Sequence, residues 1–151
     1  MHDSLFHGLA NKKWLLLFAL FSIMPVYAAN NGSVARSQFT TRIENREPVD
    51  QVLVLNNTIT TLYFFTDVRN MEGRTVTHIW EYNGQVIAKK QFSIKGPRWR
   101  VFSQKELDPS MTGKWTVIVK DDRGWPLTVS IFHYIDSDSG EKTMILPLSK
   151  K

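Results

Sequence analysis

Apolar and polar residues alternate in short runs along most of this chain, and the runs are separated by turn residues. Stretches over 38–44, 58–66, 75–82, 85–94, 97–103, 114–120 and 127–134 are enriched in β-branched and aromatic residues, the composition that fits a half-buried pleated surface. The breaks carry turn chemistry. Asn83-Gly84 is a type I′ hairpin signal, Asp121-Asp122-Arg123-Gly124 predicts a second hairpin, and Asn70-Met71-Glu72-Gly73 and Lys95-Gly96-Pro97 predict loops. No sustained 3.6-residue period interrupts the series, so helix enters only as a single turn expected at 104–107. Within strands, Val76, His78, Trp80 and Tyr82 share one face, and Trp115, Val117 and Val119 share another. About seven antiparallel strands with one drier face each predict an all-β immunoglobulin-like β-sandwich, with Trp80 as the inward tryptophan. A small closed barrel is the alternative architecture.

The ends of the chain read differently. Lys12 and Lys13 precede an apolar run over 14–26, and Val26-Tyr27-Ala28 fits the small-residue rule for signal peptidase. The run is shorter than the roughly 20 residues of a spanning helix, so an export signal over 1–28, cleaved at Ala28-Ala29, is expected; retention as a single anchor is the other reading. A flexible lead-in over 29–37 follows, then the β domain over 38–135. The tail over 136–151 opens with the polar turn Asp136-Ser137-Asp138-Ser139-Gly140 and can add an edge strand, where Pro147 is tolerated.

Composition narrows the function classes. The 151 residues suffice for one core, with 42% hydrophobic and 22% charged residues. The chain has no cysteine, which excludes disulfides, thiol nucleophiles, Cys-ligated zinc and iron–sulfur clusters. Loss of the leader would leave the mature chain one charge less basic than the +5 of the whole. Its basic residues are interspersed with carboxylates, the pattern of a solvated surface rather than a nucleic-acid groove, so no nucleic-acid partner is expected. The expected location is the bacterial periplasm or the medium, with membrane association only if the leader is retained.

Several motifs resemble a family known only as domain of unknown function 2914. They are Phe39-Thr40-Thr41-Arg42-Ile43 with Arg46-Glu47-Pro48, then Val76-Thr77-His78-Ile79-Trp80-Glu81-Tyr82-Asn83-Gly84. Gly96-Pro97-Arg98-Trp99-Arg100 with Ser103 and Lys105, and Gly113-Lys114-Trp115-Thr116-Val117, complete the set. The resemblance spans 39–134 and implies an all-β module of exported or membrane-linked bacterial proteins, with no activity attached.

Little catalytic chemistry is legible. His78 and His133 lie far apart with no metal-ligand spacing, Gly-x-Ser-x-Gly is absent, and no phosphate-cradling glycine pattern occurs. No metal, cofactor or enzymatic activity is expected, although a small hydrolase using paired carboxylates stays as a third reading. The favoured site is a polar surface. Arg98 and Arg100 share a strand face, and with Arg46, Lys105 and His78 they could hold an anionic group of an envelope protein or glycan. Alternatively the two arginines pair with Glu47 and Glu81 and only register the sheet. Trp99 and Trp125 are the aromatic-contact candidates, and a carbohydrate-binding sandwich using them is the second reading. The expected function is a non-catalytic binding or assembly module of the cell envelope.

Overall fold

A computed structural model of the chain describes residues 32–148. The export signal expected over 1–28 falls outside the described residues, as does the start of the expected lead-in. Among the described residues the fold is all-β, with eleven strands and no helix. They are β1 (Ser33–Thr40), β2 (Ile43–Glu44), β3 (Glu47–Pro48), β4 (Asp50–Asn56), β5 (Thr61–Arg69) and β6 (Thr75–Tyr82). β7 (Gln85–Ser93), β8 (Arg98–Glu106), β9 (Gly113–Asp121), β10 (Pro126–Ile135) and β11 (Met144–Pro147) complete the chain.

The strands form an open sandwich. One layer has three strands in the order β1-β5-β8, the other six in the order β11-β4-β10-β9-β6-β7, and β2 and β3 make a separate small hairpin. All pairings are antiparallel except β4 with β10, where His133 lies beside Val54 and Tyr134 beside Leu55. Asn83 and Gly84, both at positive φ (47° and 83°), join β6 to β7 in the turn that their sequence predicts.

Three expectations need correction. β4 adds an eighth long strand, unforeseen because Val52-Leu53-Val54-Leu55 is apolar without alternation; Val52 and Leu55 are both buried, three residues apart, where the β11 pairing shifts register. The lead-in expected up to residue 37 is already strand from Ser33, paired with Arg69. The helical turn expected at 104–107 is the end of β8, held in extended form by pairing of Leu62 with Lys105 and Thr61 with Glu106. The tail does add an edge strand, β11, ending on Pro147.

Alternation decides what lies between the layers. Val76, His78 and Trp80 of β6 point inward with Trp115, Val117 and Val119 of β9, against Phe39 of β1 and Leu62, Phe64 and Val68 of β5. Phe39 is the hub of the aromatic core, with ring centroids 4.9 Å from Phe64, 5.7 Å from Trp80 and 4.7 Å from Phe132, tilted or edge-on in each case. Such offset contacts suit the aromatic quadrupole and add to the apolar area buried.

One polar chain crosses this core. Trp80 Nε1 donates to Ser103 Oγ at 3.0 Å, Ser103 Oγ lies 2.9 Å from His78 Nδ1, and His78 Nε2 lies 2.9 Å from Thr66 Oγ1. Thr66 and Ser103 belong to the three-stranded layer, while His78 and Trp80 belong to the six-stranded one. A neutral imidazole satisfies the chain in either tautomer, since one ring nitrogen donates and the other accepts. Burial of the ring between Phe64 and Phe92 lowers the His78 pKa to about 3, because no carboxylate compensates for the lost hydration of the cation.

Two outcomes follow from this packing. Trp80→Ala should lower stability by about 3–5 kcal/mol through cavity formation and loss of the Ser103 bond, whereas Trp125→Ala, at a position 69% exposed, should stay within about 0.5 kcal/mol in urea denaturation. His78 also sets a pH dependence. The unfolded imidazole takes up a proton below its usual pKa of about 6.5, which the folded ring refuses down to about 3. Stability from this residue is therefore full above pH 6.5 and falls through the window toward pH 3, by up to roughly 1.4 kcal/mol per pH unit. Denaturant midpoints taken between pH 7 and pH 5 should fall in the parent and flatten in His78→Gln, even though that variant starts from a lower midpoint.

Candidate functional site

The outer face of the three-stranded layer is built by the alternation that fills its inner face. Phe64, Thr66 and Val68 of β5 point inward, so Phe65, Asp67 and Arg69 point outward; Val101 and Ser103 of β8 point inward, so Arg98, Arg100 and Phe102 point outward. Strand register then sets neighbours. Arg36 of β1, Asp67 of β5 and Arg100 of β8 form one cross-strand row, with Arg69 and Arg98 paired beside it.

Two carboxylates organise these guanidiniums. Asp67 is 2% exposed although it faces outward, because the arginine side chains cover it. Its Oδ2 accepts from Arg98 Nε and Nη2 at 3.2 and 3.0 Å and from Arg69 Nη2 at 3.1 Å. Arg69 Nε sits 3.0 Å from Asp67 Oδ1 as an ion pair without hydrogen-bond alignment. Glu47 bridges the flanking strands, pairing with Arg36 through one oxygen and with Arg100 Nη1 through the other at 3.0 Å. Beneath it, Arg36 lies over the Phe65 ring, 4.8 Å from the centroid.

Glu47 reaches that position because residues 41–49 leave the β1 strand as a closed excursion. Asp50 ties the neck: its carboxylate accepts from Thr40 Oγ1 at 2.7 Å, from the Thr41 amide at 2.8 Å and from Thr41 Oγ1, while Gln38 Nε2 donates to its carbonyl at 2.7 Å. At the tip, Asn45 and Arg46 both adopt left-handed backbone, with φ of 50° and 63°. Asparagine tolerates this; arginine does so at a cost of about 1–2 kcal/mol. The strained residue places its guanidinium 5.4 Å from the Trp99 ring centroid, within cation–π range.

The candidate residues thus separate. Trp99 has the inward parity of Val101 and Ser103 and packs half-buried against the core, with Arg46 over its ring, whereas Arg98 and Arg100 stand on the outer face, where Arg36, Arg69, Asp67 and Glu47 join them. His78 does not: it is fully buried between the layers, and its neutral ring offers no charge to a surface anion. Lys105 does not either, since it stands on the opposite parity of β8 and donates to the Glu106 carbonyl at 2.8 Å. Arg100 pairs with Glu47 as one reading of the sequence expected, but the partner of Arg98 is Asp67 rather than Glu81, which lies on β6 in the other layer. Trp125 sits in the exposed β9–β10 turn. Among the described residues, neither Trp99 nor Trp125 pairs with another aromatic ring.

Two open depressions of about 440 and 350 Å³ lie away from the arginines, the first lined by Thr77, Ile79, Lys89 and Lys120 and the second by Gly113, His133 and Ser139. Among the described residues no three His, Asp or Glu side chains cluster to hold a metal ion. The face is a charged surface carrying four guanidiniums, those of Arg36, Arg69, Arg98 and Arg100, against the two carboxylates of Asp67 and Glu47.

The two central arginines should behave differently on substitution. Arg98→Gln leaves the buried Asp67 with Arg69 alone and should cost about 1–3 kcal/mol. Arg100→Gln leaves the solvent-accessible Glu47 with Arg36 and should cost about 0–1 kcal/mol. Urea midpoints of the two single variants check the order.

Among curated proteins the chain has no match. Residues 73–134, which run from the turn before β6 nearly to the end of β10 and include Arg98, Trp99 and Arg100, match the family described as Protein of unknown function (DUF2914), the one that the sequence motifs resemble.

Proposed function

We propose that this protein is an exported, non-catalytic binding module of the bacterial cell envelope, whose arginine face takes a carboxylate or phosphate group of an envelope protein or glycan. The observation that carries the reading is the charge excess on that face. Asp67 and Glu47 organise Arg36, Arg69, Arg98 and Arg100 without matching them in number. Guanidinium forks keep outward N–H groups free for a planar anion while their inner N–H groups are held by carboxylates. Such a face is preorganised, so little side-chain entropy is lost on binding.

Hydrolysis fits the geometry less well. Asp67 and Glu47 are each engaged by two arginines, so their oxygens are taken up by guanidinium partners rather than turned toward a substrate. Carbohydrate stacking retains one favourable observation, the exposure of Trp125, but Trp99 already carries Arg46. An anionic glycan would use the arginines whichever aromatic assisted.

Calorimetric titration of the mature domain with oligogalacturonate and with inorganic phosphate tests the reading and separates the two anion classes. Binding of one of them should weaken as salt rises and fall at least tenfold in a folded R98Q/R100Q variant. Equal binding by parent and variant, or no binding of either probe at millimolar concentration and low salt, would exclude the arginine face as the site. N-terminal sequencing of envelope-derived protein should read Ala-Asn-Asn-Gly; an intact Met1 on a membrane-embedded chain would make it an anchored module instead.

A further inference from the structure

A second recognition surface lies at the far side of the other layer. β7 is the terminal strand of the six-stranded sheet, nine residues long and paired only with β6 among the described residues, so the peptide groups along its outer side have no strand partner. Seven of its nine residues are exposed, including Val86 at 51% and Ile87 at 40%. By length and exposure it is a template for a further strand.

Its charges state what that strand must carry. Lys89 pairs with Ile79 and stands on the solvent side of the sheet; Lys90 pairs with His78 and stands on the side that faces the other layer. Neither lysine has a carboxylate within ion-pair distance among the described residues, in contrast to Arg98, Arg100 and Arg74, each of which does. Self-pairing is disfavoured by the same residues. An antiparallel register that joins all nine residues of β7 to a second copy is centred on Lys89 and sets it directly opposite the same lysine, a destabilising like-charge pair.

We infer that β7 is a docking edge for an extended segment of an acidic protein partner, with two consecutive carboxylate residues opposite Lys89 and Lys90 and apolar residues opposite Val86 and Ile87. Consecutive residues of an added strand point to opposite faces of the sheet, so an adjacent acidic pair supplies one carboxylate to each lysine. Main-chain hydrogen bonds would provide the affinity, and the two ion pairs would select the partner and its register. The edge is separate from the arginine face, since β7 and β8 belong to different sheets.

The probe is a synthetic octapeptide of valine and threonine with two central glutamates, titrated into the isotopically labelled domain at low salt. Its binding should shift the β7 amides and protect the outward-facing ones from exchange. Affinity should fall at least tenfold in the K89E/K90E variant and for the same peptide N-methylated at alternate positions. A peptide in which lysines replace the glutamates should bind K89E/K90E better than the parent. Shifts confined to the Arg36, Arg98 and Arg100 surface, equal affinity for K89E/K90E, or indifference to N-methylation would overturn the proposal and leave the lysines as guards against self-association alone.

Discussion

The hydrogen-bonded chain from Thr66 through His78 to Ser103 and Trp80 fixes how the two layers meet, and the outer face inherits its geometry from that choice. Apolar packing alone tolerates sliding, because one inward Val or Phe can replace another at modest cost. A buried imidazole cannot slide, since each ring nitrogen left without a partner costs about 1–3 kcal/mol. Ser103 is the residue that transmits this constraint outward: it lies on β8 with Arg98 and Arg100 and on the opposite parity. A one-residue slip of β8 would turn Ser103 out and the arginines in. The protein thus holds a cationic surface in place by means of a neutral polar contact at the centre of its core, with acid lability as the consequence.

The surface itself depends on an exchange of strain for position. The 41–49 excursion is closed by Asp50 at its base and bent at Asn45 and Arg46 at its tip, which sets Glu47 between two strands that have β5 between them. An Asn-Gly turn would close the same hairpin more cheaply, and would leave Trp99 without its cation. Strained backbone of this sort is found where surroundings over-determine a position, often at functional sites. Here the surroundings are Glu47 on one side of the turn and Trp99 on the other.

How much of this could be read from the chain depends on the kind of signal each part leaves. Two-residue periodicity correctly assigned the inner faces of β6 and β9 and the shared face of Arg98 and Arg100, because burial on one side of a pleat writes itself into alternation. It also assigned His78 inward with Trp80, which is why adding it to a surface site was inconsistent with its own strand. β4 escaped because its irregular pairing buries Val52 and Leu55 out of step. Asp67 escaped for another reason: cross-strand register is a property of two strands together, and nothing within Thr61–Arg69 says that Asp67 will stand opposite Arg100. Glu81 looked equally eligible as a partner until the strands were divided between two sheets. Arg36 lay in a segment whose polarity resembles a linker, although it pairs along β5 almost throughout.

The limits of the family match bear on how the face is composed. Residues 73–134 include β6 to β9, most of β10, and both Arg98 and Arg100, together with His78 and Ser103, which pin β8 from within. They omit β1, the 41–49 excursion and β5, and with them Arg36, Glu47, Asp67 and Arg69. Within the matched span the two arginines have no carboxylate partner; both acids that organise them come from earlier in the chain. The pattern of four guanidiniums around two carboxylates is therefore a joint product of both parts. Because β5 is the middle strand of its sheet and supplies Thr66 to the buried chain as well as Asp67 to the surface, a change at β5 reaches His78 and the arginines together. Stability and the charge arrangement of the outer face are coupled through that one strand, whereas β7, at the end of the other sheet and largely exposed, can vary in charge with little effect on the core.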